Sequence, residues 1–169
     1  MEVELKVKNV LIPIDFSDPS RKAFYIGLKL ARMFDATVYV LHVVEPIASF
    51  DSGEDMEKQA EEVKRVEEGV KRRVNELFQI GGLKEVDRRK VKVEIRGGKP
   101  YMEILRFAYH NDIDLIVMGS HGHTGVKHML IGSQTERVVR RAHCMVLTIK
   151  PDDFEVDSDI SELPRFLRK

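Results

Sequence analysis

The chain has 169 residues, enough for one domain whose core needs no staple of disulfides or metal. Lysine plus arginine equals aspartate plus glutamate at 28 each, so the basic excess of a sequence-independent nucleic-acid binder is missing. Apolar residues at 43% exclude a disordered chain, and no run approaches the roughly 20 apolar residues of a membrane-spanning helix.

The lone cysteine, Cys144, permits neither an internal disulfide nor a multi-cysteine zinc site. It reads as a small hydrophobe near a buried strand rather than as a reactive thiol. The opening MEVELKVKNV is charged and alternating, with no apolar h-region. The expectation is a cytoplasmic protein without nucleic-acid or membrane partners.

Five β-rich runs alternate with helical patterns. They are Val10–Ile14, Thr37–Val44, Val91–Ile95, Leu115–Met118 and Met145–Ile149. The second, fourth and fifth are nearly continuous apolar stretches, as in strands covered on both faces. The third alternates, which leaves one face more exposed. The first helix opens at Asp18-Pro19, with Asp18 as cap and Pro19 at the first helical position, and carries Ala23, Gly27, Leu30, Ala31 and Phe34 inward. The second is long and highly charged, with a stripe of Met56, Val63, Val66, Val70, Val74 and Leu77. Its charges over 54–79 read as a solvated face with i,i+4 pairs. Gly98 and Pro100 open the third, with Tyr101, Ile104, Leu105 and Ala108 inward. Ser133 opens the fourth, with Thr135, Val138, Val139 and Ala142 inward, and Ser133 with Glu136 fits a capping box. Strand–helix alternation implies parallel strands with right-handed crossovers. The predicted architecture is an open α/β sheet of five parallel strands with helices on both faces.

Residues 45–53 and 81–90 read as connections. Residues 151–169 read as a tail, either a frayed terminus or an arm whose apolar end docks on a partner subunit. It carries acidic residues at 152, 153, 155, 157, 159 and 162.

Ligands of open α/β sheets bind outside the carboxyl ends of the strands. Asp15 follows the first strand, although it could merely start a turn. His42 to Glu45 end the second, with His42 read as a hydrogen-bonded strand histidine. The fourth strand is followed by a long loop from Gly119 through Gly122 and Gly125 to Gly132-Ser133. Gly119 and Gly122 allow close backbone approach and positive φ, so successive amides can converge on an anion. Gly132-Ser133 starts a helix, whose free amides also favour anions. His121, His123, Lys127 and His128 add donors. No carboxylate or cysteine accompanies those histidines, so they are not read as a metal site. The pattern G-x-x-x-x-G-K-[ST] is absent, and G-x-x-G-x-x-G after the fourth strand is not the dinucleotide fingerprint.

Gly119-Ser-His-Gly122, nine residues and Gly132-Ser133 spell G-x2-G-x9-G-S. With Ile12-Pro13-Ile14-Asp15-Phe16-Ser17, Leu41-His42-Val43, Gly98-Lys99-Pro100 and Cys144-Met145-Val146-Leu147, the chain resembles the universal stress protein family over residues 8–150. The resemblance implies an adenine nucleotide alpha hydrolase-like, Rossmann-like fold and, with the glycine motif intact, the ATP-binding subgroup. It implies a universal stress protein domain over 1–150 followed by the 151–169 tail, which departs from the usual pattern.

By position, the resemblance puts Pro13 and Asp15 on the nucleoside side, with Asp15 near ribose or a metal-bound phosphate. Val43 meets adenine through its backbone. Met118, Gly119 and Gly122 shape the ribose and phosphate loop. Gly132, Ser133, Gln134 and Thr135 hold phosphates, with His123 beside them. The implied cofactor is ATP, AMP or ADP, with Mg or Mn held through the phosphates. A homodimer through 145–149 and the tail is implied too. No general base, arginine finger or nucleophile elbow stands out. A nucleotide-dependent switch in the stress response, acting through partners, is therefore the first reading. A slow ATP hydrolase or nucleotidyl transferase is the alternative, with Ser133 or Thr135 as candidate phosphate acceptors. A third reading makes the nucleotide structural, with the tail or charged helix as the working surface.

Overall fold

The computed structural model describes residues 5–45, 56–80, 90–120 and 131–151. In chain order these form β1 (Asn9–Pro13), α1 (Asp18–Phe34), β2 (Thr37–Val44), α2 (Met56–Ile80), β3 (Val91–Gly97), α3 (Pro100–His110), β4 (Leu115–Gly119), α4 (Ser133–Arg141) and β5 (Met145–Ile149). The strands make one sheet in the order β3-β2-β1-β4-β5, and every pairing is parallel. The chain winds outward from β1 in one direction, then returns to build β4 and β5 on its other side. The order therefore reverses between β1 and β4, which opens a crevice at the carboxyl edge.

Alternation along β1 explains the two layers. Val10 and Ile12 face a core built with Ala23 and Phe24 of α1 and Val70, Val74, Leu77 and Phe78 of α2. Leu11 faces the other core, with Ile104 and Phe107 of α3 and Val138 of α4. Side chains of successive strand residues point to opposite faces, so a central strand must be apolar throughout. β4 is buried at all five positions. Gly27 lets α1 lie directly on the sheet, because a Cβ there would meet Ile12 Cδ1 at 2.6 Å. At the opposite edge of the sheet, Asp114 Oδ2 accepts from the amides of Lys8 and Asn9 at 2.7 and 2.9 Å. That carboxylate ties the start of β1 to the start of β4.

The five parallel strands and the helices on both faces agree with the sequence reading. Several details differ. β5 is apolar yet sits at the sheet edge, with Met145 43% and Leu147 37% exposed, so it is not covered on both faces. β3 is the other edge, and its alternation does leave Lys92 exposed. On α2, Val63 lies outside the buried stripe, while Phe78 joins it. On α4, Val139 is exposed because a nine-residue helix buries only the Thr135–Val138 side. Phe24, Leu28 and Phe107 are core residues that the stripes left out, and Leu30, Phe34, Tyr101, Leu105 and Ala142 are only half-buried. The cap of α1 is Ser17, which moves Asp18 and Pro19 one place into the helix. The connection through 46–53, most of 81–90 and the tail beyond Pro151 lie outside the described residues.

Candidate functional site

Parallel strands deliver every following helix N-terminus to the same edge of the sheet. At that edge a cleft of about 540 Å³ opens. Pro13, Asp15, Val43, Met118, Gly119, Gly132, Ser133, Gln134 and Thr135 all line it, so nine candidate residues from separate segments share one cavity. Gly122 and His123, with His121, Gly125, Lys127 and His128, lie outside the described residues.

On the β1–β2 side, register exposes main chain. The Leu41 carbonyl accepts from the Ile14 amide at 2.8 Å, and the Val44 carbonyl accepts from Gly98 on the β3 side at 3.0 Å. Strand alternation then turns the Val43 amide and carbonyl toward the β1 side. The last β1 residue paired with β2 is Pro13, opposite Leu41, so on that side the Val43 main chain meets the cleft rather than β1, while on its other side Val43 is in register with Arg96 of β3. Its donor and acceptor are the equipment for reading the edge of a planar base. His42 lies with Nδ1 2.7 Å from the Ile14 carbonyl. A carbonyl only accepts, so Nδ1 carries the proton. His42 is thus the hydrogen-bonded strand histidine read from the sequence.

Asp15 is half-buried at the end of β1. Its Oδ1 accepts from the Ser17 amide at 2.9 Å and the Ser17 hydroxyl at 2.5 Å. The carboxylate therefore starts the turn into α1 while also lining the cleft. Ser20 is buried, with its hydroxyl on the Ser17 carbonyl at 3.0 Å.

On the β4–α4 side the long loop is pinned at both ends. The Gly132 amide donates to the Ser120 carbonyl at 2.7 Å, and the Ser120 amide donates to Ile149 at 2.8 Å. The buried Thr135 hydroxyl donates to the Gly119 carbonyl at 2.9 Å. Gly119 is required by close approach, because a Cβ would lie 2.9 Å from Pro19 Cβ and 3.0 Å from its backbone carbon. It does not have the positive φ expected of it.

Ser133 and Glu136 do not form the expected capping box. Gly132, which has no side chain, is the N-cap of α4, and Ser133 is the first helical residue. Glu136 turns away to Arg140 Nε at 2.9 Å. No side chain caps this helix, so the amides of Ser133, Gln134 and Thr135 lack intrahelical partners at the cleft wall. Gln134 Oε1 accepts from the Tyr101 amide at 3.2 Å, which couples the N-terminus of α4 to that of α3. Free amides at a helix start can hold an anion.

Arg73 was missed. It lines the cleft from α2, and its guanidinium carbon lies 3.9 Å from the centroid of the Phe16 ring. In the sequence it sits within a charge run that reads as a solvated face; only packing of α2 onto α1 brings it here. Cys144 lies elsewhere, near Asp114 at the other end of the sheet. Burial, and then the Asp114 charge, push its thiol up from the ordinary value.

Among the described residues no cluster of three His, Cys, Asp or Glu is placed to hold a metal ion. No helix among them is long and apolar enough to cross a membrane.

The universal stress protein family model matches residues 6–150. Universal stress protein MJ0531 of Methanocaldococcus jannaschii is 35% identical over 145 residues, covering 85% of this chain and 82% of its own. The solved universal stress protein UspA of Lactobacillus plantarum superposes with a TM-score of 0.71 at 27% identity, over 86% of this chain and 99% of its own. At the level of fold, a universal stress protein solved with cAMP gives a TM-score of 0.62 at 19% identity, over 86% and 98% of the two chains. An Archaeoglobus fulgidus universal stress protein solved with dAMP gives 0.55 at 21%, over 87% and 100%. With the family model spanning the whole sheet and the cleft at its edge, the chain belongs to the universal stress protein family.

Proposed function

We propose that the cleft binds an adenine nucleotide, ATP in the first place, and that the protein is a nucleotide-dependent switch acting through partners in a stress response. The observation that carries this is the pairing of two kinds of backbone donor across one cavity. Val43 offers a main-chain edge to a base, and the uncapped start of α4 offers amides to phosphate. The G-x2-G-x9-G-S pattern supports placing the chain in the ATP-binding subgroup. The cAMP and dAMP held by two proteins of this fold support a nucleotide of this class. In this reading Pro13, Asp15 and Val43 receive the nucleoside. Met118 and Gly119 floor the ribose, and Gly122, His123 and Gly132–Thr135 receive the phosphates. Mg or Mn would travel on the phosphates.

The exposed Met145 and Leu147 on edge strand β5 support a homodimer formed along that strand. An open edge carrying apolar side chains favours pairing with another chain.

Thermal unfolding with and without Mg-ATP tests the nucleotide reading. Ligand at 100 times its dissociation constant stabilises by about 2.7 kcal/mol. For a chain of this size the midpoint rises by roughly 5–10 °C. An unchanged midpoint with ATP, ADP and AMP at millimolar concentration overturns the proposal.

A further inference from the structure

Phe16 has φ 66°, in the left-handed region that a bulky side chain seldom adopts, and it is 2% exposed. It follows Asp15 directly. Its ring sits between His42, with centroids 5.3 Å apart, and the Arg73 guanidinium, 3.9 Å from the ring centroid. The ring is covered and cannot itself touch a ligand. Arg73 is exposed on its outer side, lines the cleft and has no carboxylate partner among the described residues. Its helix is held firmly: Val70, Val74 and Leu77 are buried in the core, and Tyr25 Oη donates to the Leu77 carbonyl at 3.0 Å. A guanidinium stacked on one face still presents a flat fork of N–H donors along its edges. Phe16 follows β1 and its ring meets His42 of β2, so the fork belongs to the β1–β2 side of the cleft, and α2 packs on the face of the sheet opposite to the one that holds Val138 of α4.

We infer that Arg73 is a specificity-determining residue that hydrogen-bonds the nucleoside half of the ligand, with Phe16 as its stacking platform. The inference rests on the adenine-nucleotide reading and deepens it. Arg73 donates to acceptors on the base or ribose, while the phosphates lie with α4. Its contribution is therefore the same for adenosine, AMP and ATP.

Calorimetric titration of adenosine, AMP and ATP into the wild type, Arg73→Met and Arg73→Lys tests this. Arg73→Met weakens all three by the same factor, about tenfold, as for one lost hydrogen bond from a charged donor. Arg73→Lys recovers little, because a compact ammonium lacks the flat fork. The unfolding midpoint of ligand-free Arg73→Met falls only slightly, because methionine still covers Phe16 and only the cation–π contact of an outwardly exposed side chain is lost. A loss that grows from adenosine to ATP overturns the inference and makes Arg73 a phosphate clamp. Unchanged affinities overturn it too, leaving Arg73 as a cover for Phe16. If the wild type binds none of the three, the nucleotide reading falls and this inference with it. If the wild type binds and Arg73→Met binds equally well, only the inference falls.

Discussion

Gly119 joins the fold to the cleft. It ends β4, its carbonyl accepts the buried Thr135 hydroxyl, and it leaves no room for a Cβ against Pro19. In Gly119→Ala the added methyl meets backbone, which cannot swing aside. Overpacking of this kind costs about 1–3 kcal/mol, read as a fall in the denaturant midpoint. An unchanged midpoint would mean that α1 slides easily on β4.

Cys144 supplies a pH dependence. Its thiol is raised by burial first and by the Asp114 charge besides, although its own backbone hydrogen bond opposes them. Tyr25 is raised by burial as well, with Arg21 opposing. Groups raised on folding contribute stability that is complete below their unfolded values and lost as pH climbs through the folded ones. The unfolding midpoint therefore declines in alkaline solution, from about pH 9 upward. Cys144→Ser makes that decline shallower. Alkylation of Cys144 reaches its half-maximal rate at higher pH than a free thiol does; a profile matching the free thiol would contradict the burial argument.

At the scale of elements, α4 separates two roles that the sequence pattern merges. Ser133 with Glu136 has the spacing of a capping box, yet Gly132 is the cap and Glu136 pairs with Arg140. Loss of a true cap typically costs about 1 kcal/mol. Ser133→Ala therefore costs less than about 0.5 kcal/mol in chemical unfolding, while it weakens ATP binding severalfold in titration. A full cap-sized loss of stability with unchanged affinity would reverse that assignment.

The same helix shows what a sequence can reveal. Element type and order were legible, because apolar runs and the 3.6-residue stripe depend on local pattern. The cleft was largely legible too, since strand ends in a parallel sheet must share one edge. Cap positions were not: Ser17 against Asp18, and Gly132 against Ser133, differ by one residue and turn on backbone dihedrals. Arg73 was hidden for another reason. One arginine in a charged helix carries no mark of the neighbour over which it will stack.

At the scale of the molecule, apolar content says that β5 is a strand but not that it lies at an edge. Strand order decides that, and it leaves Met145 and Leu147 in contact with solvent. Under the proposed dimer these side chains are covered by a second copy. Leu147→Asp then converts the dimer to monomer in light scattering coupled to size exclusion, with its far-UV circular dichroism retained. A wild type that is monomeric at every concentration would remove the proposal. The exposed ion pairs on the helices, such as Arg140–Glu136, add little to stability at moderate salt.

In the proposed function, one ligand bridges the Val43 main chain and the start of α4. Amide chemical-shift mapping by nuclear magnetic resonance during titration with Mg-ATP tests it most directly. The largest saturable shifts are expected at Val43, Gly119 and Ser133 to Thr135, with the amides around Asp114 and Cys144 unmoved. Shifts confined to that opposite end of the sheet, or none at millimolar ATP, would contradict the assignment of this cleft as the nucleotide site.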